Sequence, residues 1–278
     1  MNSGTIAGRT AVVAVMMTCF NRRETTLGCL RRLALQKLPD GHRIEVFLVD
    51  DGSHDGTGDA VRREFSSVRV LQGTGSLYWC GGMRLAWQEA AKVDPEYYLA
   101  LNDDTMIVEH AVKELLALVG SPEDRKLAVA AIADGETGEA LYGGVSWKMR
   151  MVPPAPSGEP ACCASVCGNC LLIPRAVYRE LGMFYPYTHG LADYDYGFTA
   201  TRRGIAVLQG GTFLGTCSAN MKTATWEDPT LPRCERLRKM MAPTGLPIRD
   251  HLIYSIRIYR WTWPRRVIGP FLRILLGF

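Results

Sequence analysis

Apolar runs of strand length recur through the first half of the chain, and each closes on a cluster of polar residues. The first runs from Ala11 to Met17 and opens into Thr18-Cys19-Phe20-Asn21. A second, Val46-Phe47-Leu48-Val49, ends in Asp50-Asp51-Gly52-Ser53, and a third, Tyr97-Tyr98-Leu99-Ala100-Leu101, ends in Asn102-Asp103-Asp104-Thr105. Short continuous apolar runs predict strands buried on both faces, as in parallel sheets. Between them the period changes to that of a helix: Leu27, Leu30 and Leu33 share one face, as do Val108, Val112, Leu115, Leu116 and Val119, and a helix-like stretch passes through Ala60, Val61 and Phe65. Asn21 with Glu24 three residues on predicts a capping box for the first helix. Strands alternating with helices make βαβ units, so the predicted class is α/β, with a Rossmann-like, mostly parallel central sheet flanked by helices. The carboxyl ends of such strands form the ligand crevice, which brings the three polar clusters to one edge.

The chemistry of that edge follows from its acids. Asp103 and Asp104 raise each other's cost of ionisation, and no cation stands beside them in the sequence. A divalent hard cation, Mg²⁺ or Mn²⁺, removes that cost and leaves positions open for phosphate oxygens. The competing reading makes Asp104 or Thr105 the cap of the helix that follows.

Composition constrains the picture without redirecting it. The 278 residues, 47% of them hydrophobic, suffice for one large α/β domain or two small ones. There is no internal repeat, and the Pro-rich piece from Val152 to Pro160 reads as a surface loop. An odd count of nine cysteines and a first apolar run that leads into Asn21-Arg22-Arg23, with no small-residue cleavage site, point to a reduced interior. Cys162, Cys163, Cys167 and Cys170 are the one cluster that could suggest zinc, but Val166 to Ile173 reads as a core strand, which favours buried thiols.

Charge is local. No acid follows Asp250, so Arg257, Arg260, Arg265, Arg266 and Arg273 put +5 on the tail of a chain whose net charge is +4. They interleave with Tyr254, Tyr259, Trp261, Trp263, Phe271 and Ile274-Leu275-Leu276, a pattern suited to a lipid headgroup layer. The alternative is a C-terminal helix packed on the domain with solvated arginines. No apolar run approaches the ~20 residues of a spanning helix. No recognisable nucleic-acid module carries the basic residues, so nucleic acid is disfavoured as a partner. A dehydrogenase is disfavoured because no G-x-G-x-x-G follows the opening strand.

Taken together, the motifs resemble the family 2 glycosyltransferases of the glycosyltransferase A fold. The resemblance runs from Ala11 to Cys217 and rests on order and spacing: Thr18-Cys19-Phe20-Asn21, Asp50-Asp51-Gly52-Ser53, the glycine-rich stretch from Gly73 to Arg84, Asn102-Asp103-Asp104, Gly168-Asn169, and Asp193-Tyr194-Asp195-Tyr196 in a helix closing at Arg202-Arg203-Gly204. It implies a catalytic domain over residues 1–225, with a donor half to about 105 and an acceptor half beyond it. Residues 226–278 would then supply a lid loop and a basic amphipathic helical tail.

The resemblance also implies roles. Thr18, Phe20 and Asn21, with Asp50 or Asp51, would hold the base and ribose of a nucleoside-diphosphate sugar of UDP or dTDP type, since a carboxylate accepts the imide N–H of uracil or thymine. Arg84 resembles the basic residue near the nucleotide. Trp79 reads either as core or as a sugar platform. Asp104 would ligate Mg²⁺ or Mn²⁺, with Asp103 on ribose or metal and Asn102 in place of the more usual acid. Asp193, with Asp195 as the alternative, would deprotonate the acceptor hydroxyl in an inverting displacement, although Ala192 stands where an acid is usual. Cys217 stands where many relatives place a histidine ligand, and Arg233, Arg236, Arg238 or Lys239 of the lid could clamp phosphates. The implied acceptor is a glycan or a lipid-linked glycan of bacterial surface-polysaccharide synthesis, made at the cytoplasmic face of the cell membrane. The rival readings are a sugar-phosphate nucleotidylyltransferase, which would carry an Arg- and Lys-containing glycine-rich loop after the first strand, and a catalytically silent nucleotide-sugar-binding module, which would be expected to lack Asp104 or the later acidic motif.

Overall fold

The apolar runs become strands in the predicted order: β1 (Ala11–Cys19), α1 (Arg23–Ala34), β2 (His42–Asp50), α2 (Thr57–Glu64), β3 (Arg69–Gln72), α3 (Tyr78–Ala91) and β4 (Tyr97–Leu101). The structure, a computed structural model, describes residues 10–219 and 224–277. Residues 1–9 of the expected catalytic domain, and residues 220–223 just before the expected lid, lie outside the described residues. These strands lie in the order β3-β2-β1-β4, and every neighbouring pair runs parallel. The polar ends of β1, β2 and β4 therefore meet at one edge.

The chain continues through β5 (Met106–Ile107), α4 (Ala111–Val119), β6 (Lys126–Asp134), β7 (Ala140–Val145), β8 (Ala161–Cys162), β9 (Ser165–Cys167) and β10 (Cys170–Pro174). After these come α5 (Arg175–Leu181), α6 (Ala192–Arg202), β11 (Ala206–Cys217), α7 (Arg233–Met241), α8 (Ile248–Tyr259) and α9 (Trp263–Leu276). β10 inserts antiparallel between β4 and β6, and β11 runs parallel to β6, extending the same sheet. The result is the expected α/β architecture, a mostly parallel central sheet flanked by helices with a helical C-terminal segment.

Because the central strands are buried on both sides, alternate residues feed two cores. Met16, Phe47, Trp87, Tyr98 and Phe184 pack on one face, and Val15, Leu48, Leu99, Leu115 and Ile132 on the other. Tyr254 and Ile258 of α8 belong to the first. The front half of the basic tail is therefore core.

Several local expectations change. Asn21 does not cap α1: it sits at φ 52°, Arg22 holds the N-cap position without a side-chain cap bond, and the Arg23 N–H donates instead to Asp55 Oδ2 at 3.1 Å. The Asn21 Oδ1 instead accepts the His54 N–H at 2.7 Å, tying β1 to the loop after β2. Neither Asp104 nor Thr105 caps α4, because β5 intervenes and His110 precedes the helix. The expected lid is partly helical, since α7 lies within it. No helix among the described residues is long and apolar enough to cross a membrane.

Candidate functional site

Two cavities open at the carboxyl edge of the sheet. The first, about 350 Å³, is lined by Thr18, Phe20 and Arg22 from the end of β1, Asp51 after β2, Tyr78 and Trp79 from α3, Asp103 after β4, and His189. Asp51 organises one wall. Its Oδ1 accepts the Gly75 N–H at 2.8 Å, and its Oδ2 accepts those of Leu77 and Tyr78 at 2.9 and 3.0 Å. Gly75, at φ +83°, lets the loop curl around the carboxylate. A carboxylate offers about four lone-pair positions, so three bonds leave Asp51 one acceptor position. Asp50, the other member of its pair, accepts from Ser53 and from Gly58 in α2 and does not line the cavity. Asn21, occupied with His54, does not line it either.

The second cavity, about 250 Å³, is lined by Asn102, Asp103 and Asp104 from the end of β4 together with Gly168, Asn169, His189 and Asp193. Here a countercharge invisible in the local sequence appears. The Arg22 guanidinium, delivered by the chain entering α1, lies 2.7 Å from Asp104 and 3.3 Å from Asp103. The acids thus do have a cation of their own, because β1 neighbours β4 in the sheet. Asp103 also accepts from Thr26 at 3.0 Å and is 5% exposed. Burial pushes its carboxyl up to about 6, with Arg22 opposing and Asp104 adding to the shift.

Asn102 has a clear physical reason to be an amide. Its Oδ1 accepts from the Trp79 indole N–H at 2.8 Å, while its Nδ2 donates to Asn169 Oδ1 at 3.0 Å. A carboxylate could accept the first bond but not make the second. Asn169 in turn donates to Thr105 at 3.1 Å. The adjacent Gly168 N–H donates to Asp193 Oδ2 at 2.8 Å, so the Gly168-Asn169 turn ties the β4 end to α6.

The acids of α6 differ sharply. Asp193 lines the second cavity, and among the described residues it accepts from the backbone N–H groups of Gly168 and Tyr194. Burial raises its pKa, only partly offset by those N–H groups. Asp195 is 1% exposed and accepts from Tyr187 at 2.8 Å, Thr199 at 3.0 Å and Arg257 at 2.7 and 3.3 Å. That network leaves Asp195 outside the lining of the cavity, where its oxygens are held by three side chains. It also corrects the reading of the tail, since Arg257 has an opposing acid. Gly197 makes the geometry possible: a Cβ there would meet Ser165 and Val166 of β9 at 2.5 to 2.8 Å, so only glycine lets α6 approach this closely.

Metal-ligating capacity is concentrated at Asp104. Among the described residues its Oδ1 is buried without a hydrogen-bond partner in good geometry, although the Cys217 thiol lies against this carboxyl, and it is an orphaned oxygen of the kind a cation would satisfy. Beside it lies a third cavity, about 350 Å³, lined by Arg22, Asp104, Thr216 and Cys217 among others. The Cys217 thiol is pushed up to about 12, first by burial and then by Asp104, so it is a neutral group. No three His, Cys, Asp or Glu side chains among the described residues are grouped to hold a metal. A cation at Asp104 would therefore draw further ligands from a bound diphosphate.

Other expected residues lie elsewhere. Arg84 lines neither of the first two cavities; its guanidinium donates to the Phe184 carbonyl. Arg236 is buried and donates to the Trp226 carbonyl, while Arg238 and Lys239 approach Glu235. The two important residues missing from the sequence reading are Arg22 and His189. Arg22 lines all three cavities. His189 lines two, accepts the Trp79 backbone N–H at 3.3 Å through Nδ1, and is lowered in pKa by burial and by Arg22, which makes it a neutral imidazole. Proximity of Arg22 to the first motif was a usable signal; nothing local marked His189.

The family described as glycosyl transferase family 2 matches residues 14–182. A search of curated proteins gives no match. Among solved structures, the chain is similar to GalNAc-T7 with UDP, GalNAc and Mn²⁺, at 16% identity and TM-score 0.60, covering 83% of this chain and 48% of that one. It is similar to the mannosyltransferase PcManGT of Pyrobaculum calidifontis with GDP-Man and Mn²⁺, at 15% identity and TM-score 0.59, covering 98% and 77%. It is also similar to S. aureus TarS residues 1–349 with UDP-GlcNAc, at 14% identity and TM-score 0.61, covering 96% and 73%. The chain spans about half the length of the first of these. At such identities the likeness is one of fold.

Proposed function

The chain belongs to glycosyltransferase family 2, and from that premise we propose that it is an inverting, metal-dependent transferase moving a sugar from a UDP- or dTDP-sugar to an acceptor hydroxyl. One observation carries the proposal: a single cavity is lined both by Asp103 and Asp104, which Arg22 bridges, and by Asp193, which has no ion-pair partner among the described residues. Displacement of a sugar from its diphosphate needs neutralisation of the leaving group and removal of the acceptor proton from the opposite face. The cavity separates those two capacities. The Mn²⁺ bound in two of the similar solved structures supports a divalent ion.

Asp51 offers its remaining acceptor position to a base imide N–H, with Thr18 and Phe20 beside it. Asp104 would hold the metal through its orphaned Oδ1, and the metal would supply Lewis acidity toward the diphosphate. Arg22, half-exposed, is placed to turn from the two carboxylates to phosphate oxygens. Asp193, with its raised pKa, takes the acceptor proton, and the neutral His189 lies between the two cavities as a hydrogen-bonding group. The apolar surface of α9, with Ile268, Leu272, Leu275 and Leu276 each about half exposed, and Trp261, 95% exposed in the turn just before it, supports peripheral membrane contact and a lipid-linked acceptor in bacterial surface-glycan synthesis. A thermal-shift panel of UDP, dTDP, GDP and ADP with Mn²⁺ tests the reading. UDP or dTDP should stabilise most, and a panel without any stabilising nucleotide would overturn it.

A further inference from the structure

A fourth cavity, about 340 Å³, lies between α8 and α9, on the far side of Leu191 from the second. Arg265, Arg266 and Arg273 line it, together with His251, Tyr254 and Tyr259. Arg265, Arg266 and Arg273 have no carboxylate partner among the described residues; Arg266 lies instead over the Tyr259 ring at 4.3 Å. Three guanidiniums converging without an acid make a strong field for an anion.

A second observation points the same way. Tyr254 is 3% exposed, and among the described residues its buried hydroxyl has the Tyr259 side chain close by but no hydrogen-bond partner in good geometry. Burial above all, then Tyr259, and also the charges of Asp193 and Asp195 raise its pKa, so the group is a protonated donor. A phosphate oxygen would satisfy it. The buried acids nearby are engaged elsewhere, Asp195 with Arg257 and Asp250 with the Thr188 N–H.

The cavity is joined to the site already described. Leu191 lines both this cavity and the one that holds Asp193, and it sits at φ 73° at the start of α6, two residues before that acid. Next to the arginines, α9 leaves Ile268, Leu272, Leu275 and Leu276 exposed. A ligand matching this surface has an anionic phosphate head and an apolar chain.

We propose that the α8–α9 cavity is the subsite for a phosphate or diphosphate ester of a long apolar chain, the head of an amphiphilic acceptor whose sugar hydroxyl then reaches Asp193 past Leu191. The identification as an acceptor subsite rests on the transferase reading; binding of the ester does not.

The test titrates farnesyl diphosphate calorimetrically into the full chain, with the donor site filled by saturating UDP and Mn²⁺. Binding to the wild type should weaken at least tenfold in the double variant Arg265→Gln, Arg273→Gln and about threefold in Tyr254→Phe, whereas UDP affinity stays unchanged. Arg249→Gln, on an exposed arginine at the start of α8 outside the cavity, should leave both affinities as they are. Arg265→Gln alone, at an exposed position, serves if the double variant does not fold. Parallel sedimentation with phosphatidylglycerol vesicles separates the sources: competition by farnesyl diphosphate assigns the cavity to a lipid-linked diphosphate, and loss of vesicle binding in the same variants without competition assigns it to a phospholipid headgroup. Equal binding of farnesyl diphosphate by wild type and cavity variants, or an equal loss in Arg249→Gln, would overturn the subsite. Failure of UDP to bind, with ester binding intact, would remove the transferase reading and leave the anion site standing.

Discussion

The end of β4 and the start of α6 each carry two closely spaced acids, and they resolve the same electrostatic problem in opposite ways. At β4, Asp103 and Asp104 share one guanidinium, Arg22, and still leave Asp104 Oδ1 unsatisfied. At α6 the acids divide the work: Asp195 takes Arg257, Tyr187 and Thr199, while Asp193 is left with backbone N–H groups and a view of the cavity. A shared, incomplete countercharge suits a place where a cation arrives with its ligand. A split environment suits a place where one acid must stay free to gain and lose a proton. Adjacency in sequence therefore says less than the identity of the residue that supplies the opposite charge.

The largest expected effect breaks the α6 half of the comparison. Asp193→Asn should leave UDP binding intact and reduce sugar transfer by a factor on the order of 10² or more, because only proton removal is lost. Single-turnover transfer beside nucleotide calorimetry decides it. Full activity in Asp193→Asn, with Asp195→Asn silent while still folded, would exchange the roles of the two acids.

A smaller effect, and one of a different kind, is expected at the neighbouring pair. Arg257→Gln leaves Asp195 buried without its cation. Discounted for the partly exposed guanidinium, the cost is on the order of 2 kcal/mol, seen as a melting temperature lower by several degrees. Unchanged melting would mean that the tail contributes no anchoring through Asp195.

At β4, Arg22→Gln removes the internal competitor for Asp103 and Asp104. Mn²⁺ binding without nucleotide, followed by electron paramagnetic resonance, should tighten by roughly tenfold, as expected for loss of one close charge. The same Mn²⁺ affinity in variant and wild type would show that Arg22 does not compete with the ion.

The smallest expected effect is a pH dependence. Between the ordinary value of 3.8 and about 6, native Asp103 keeps a proton that the unfolded chain has released. Its contribution to stability is full at low pH and is lost as the pH rises through about 6. Asp103→Asn should therefore gain melting temperature over the wild type at pH 8 relative to pH 4. A constant difference across that range would contradict the raised pKa.

The sequence made the sheet legible because continuous apolar runs report burial, and such runs lead directly into Thr18, Asp51 and Asp104. It could not say which acid of each pair faces solvent, since that depends on partners far away along the chain: Gly58 for Asp50, Gly75 for Asp51, Arg257 for Asp195. The same distance effect hid Arg22 from Asp104, 82 positions later. Arg84 was misplaced because helix α3 turns its side chain toward the Phe184 carbonyl. The tail was half legible: Leu275 and Leu276 are exposed as expected, whereas Ile274 beside them is fully buried, Ile268 and Leu272 went unmarked, and Tyr254 and Ile258 of α8 entered the core through contacts that no local pattern shows.

Calorimetric titration of UDP into the wild type and Asp104→Ala, each with Mn²⁺ and with excess chelator, tests the central claim most directly. Mn²⁺ should tighten nucleotide binding to the wild type at least tenfold and do little for Asp104→Ala. Wild-type affinity that is the same in chelator, or an undiminished Mn²⁺ effect in Asp104→Ala, would contradict a metal-dependent donor site at the end of β4.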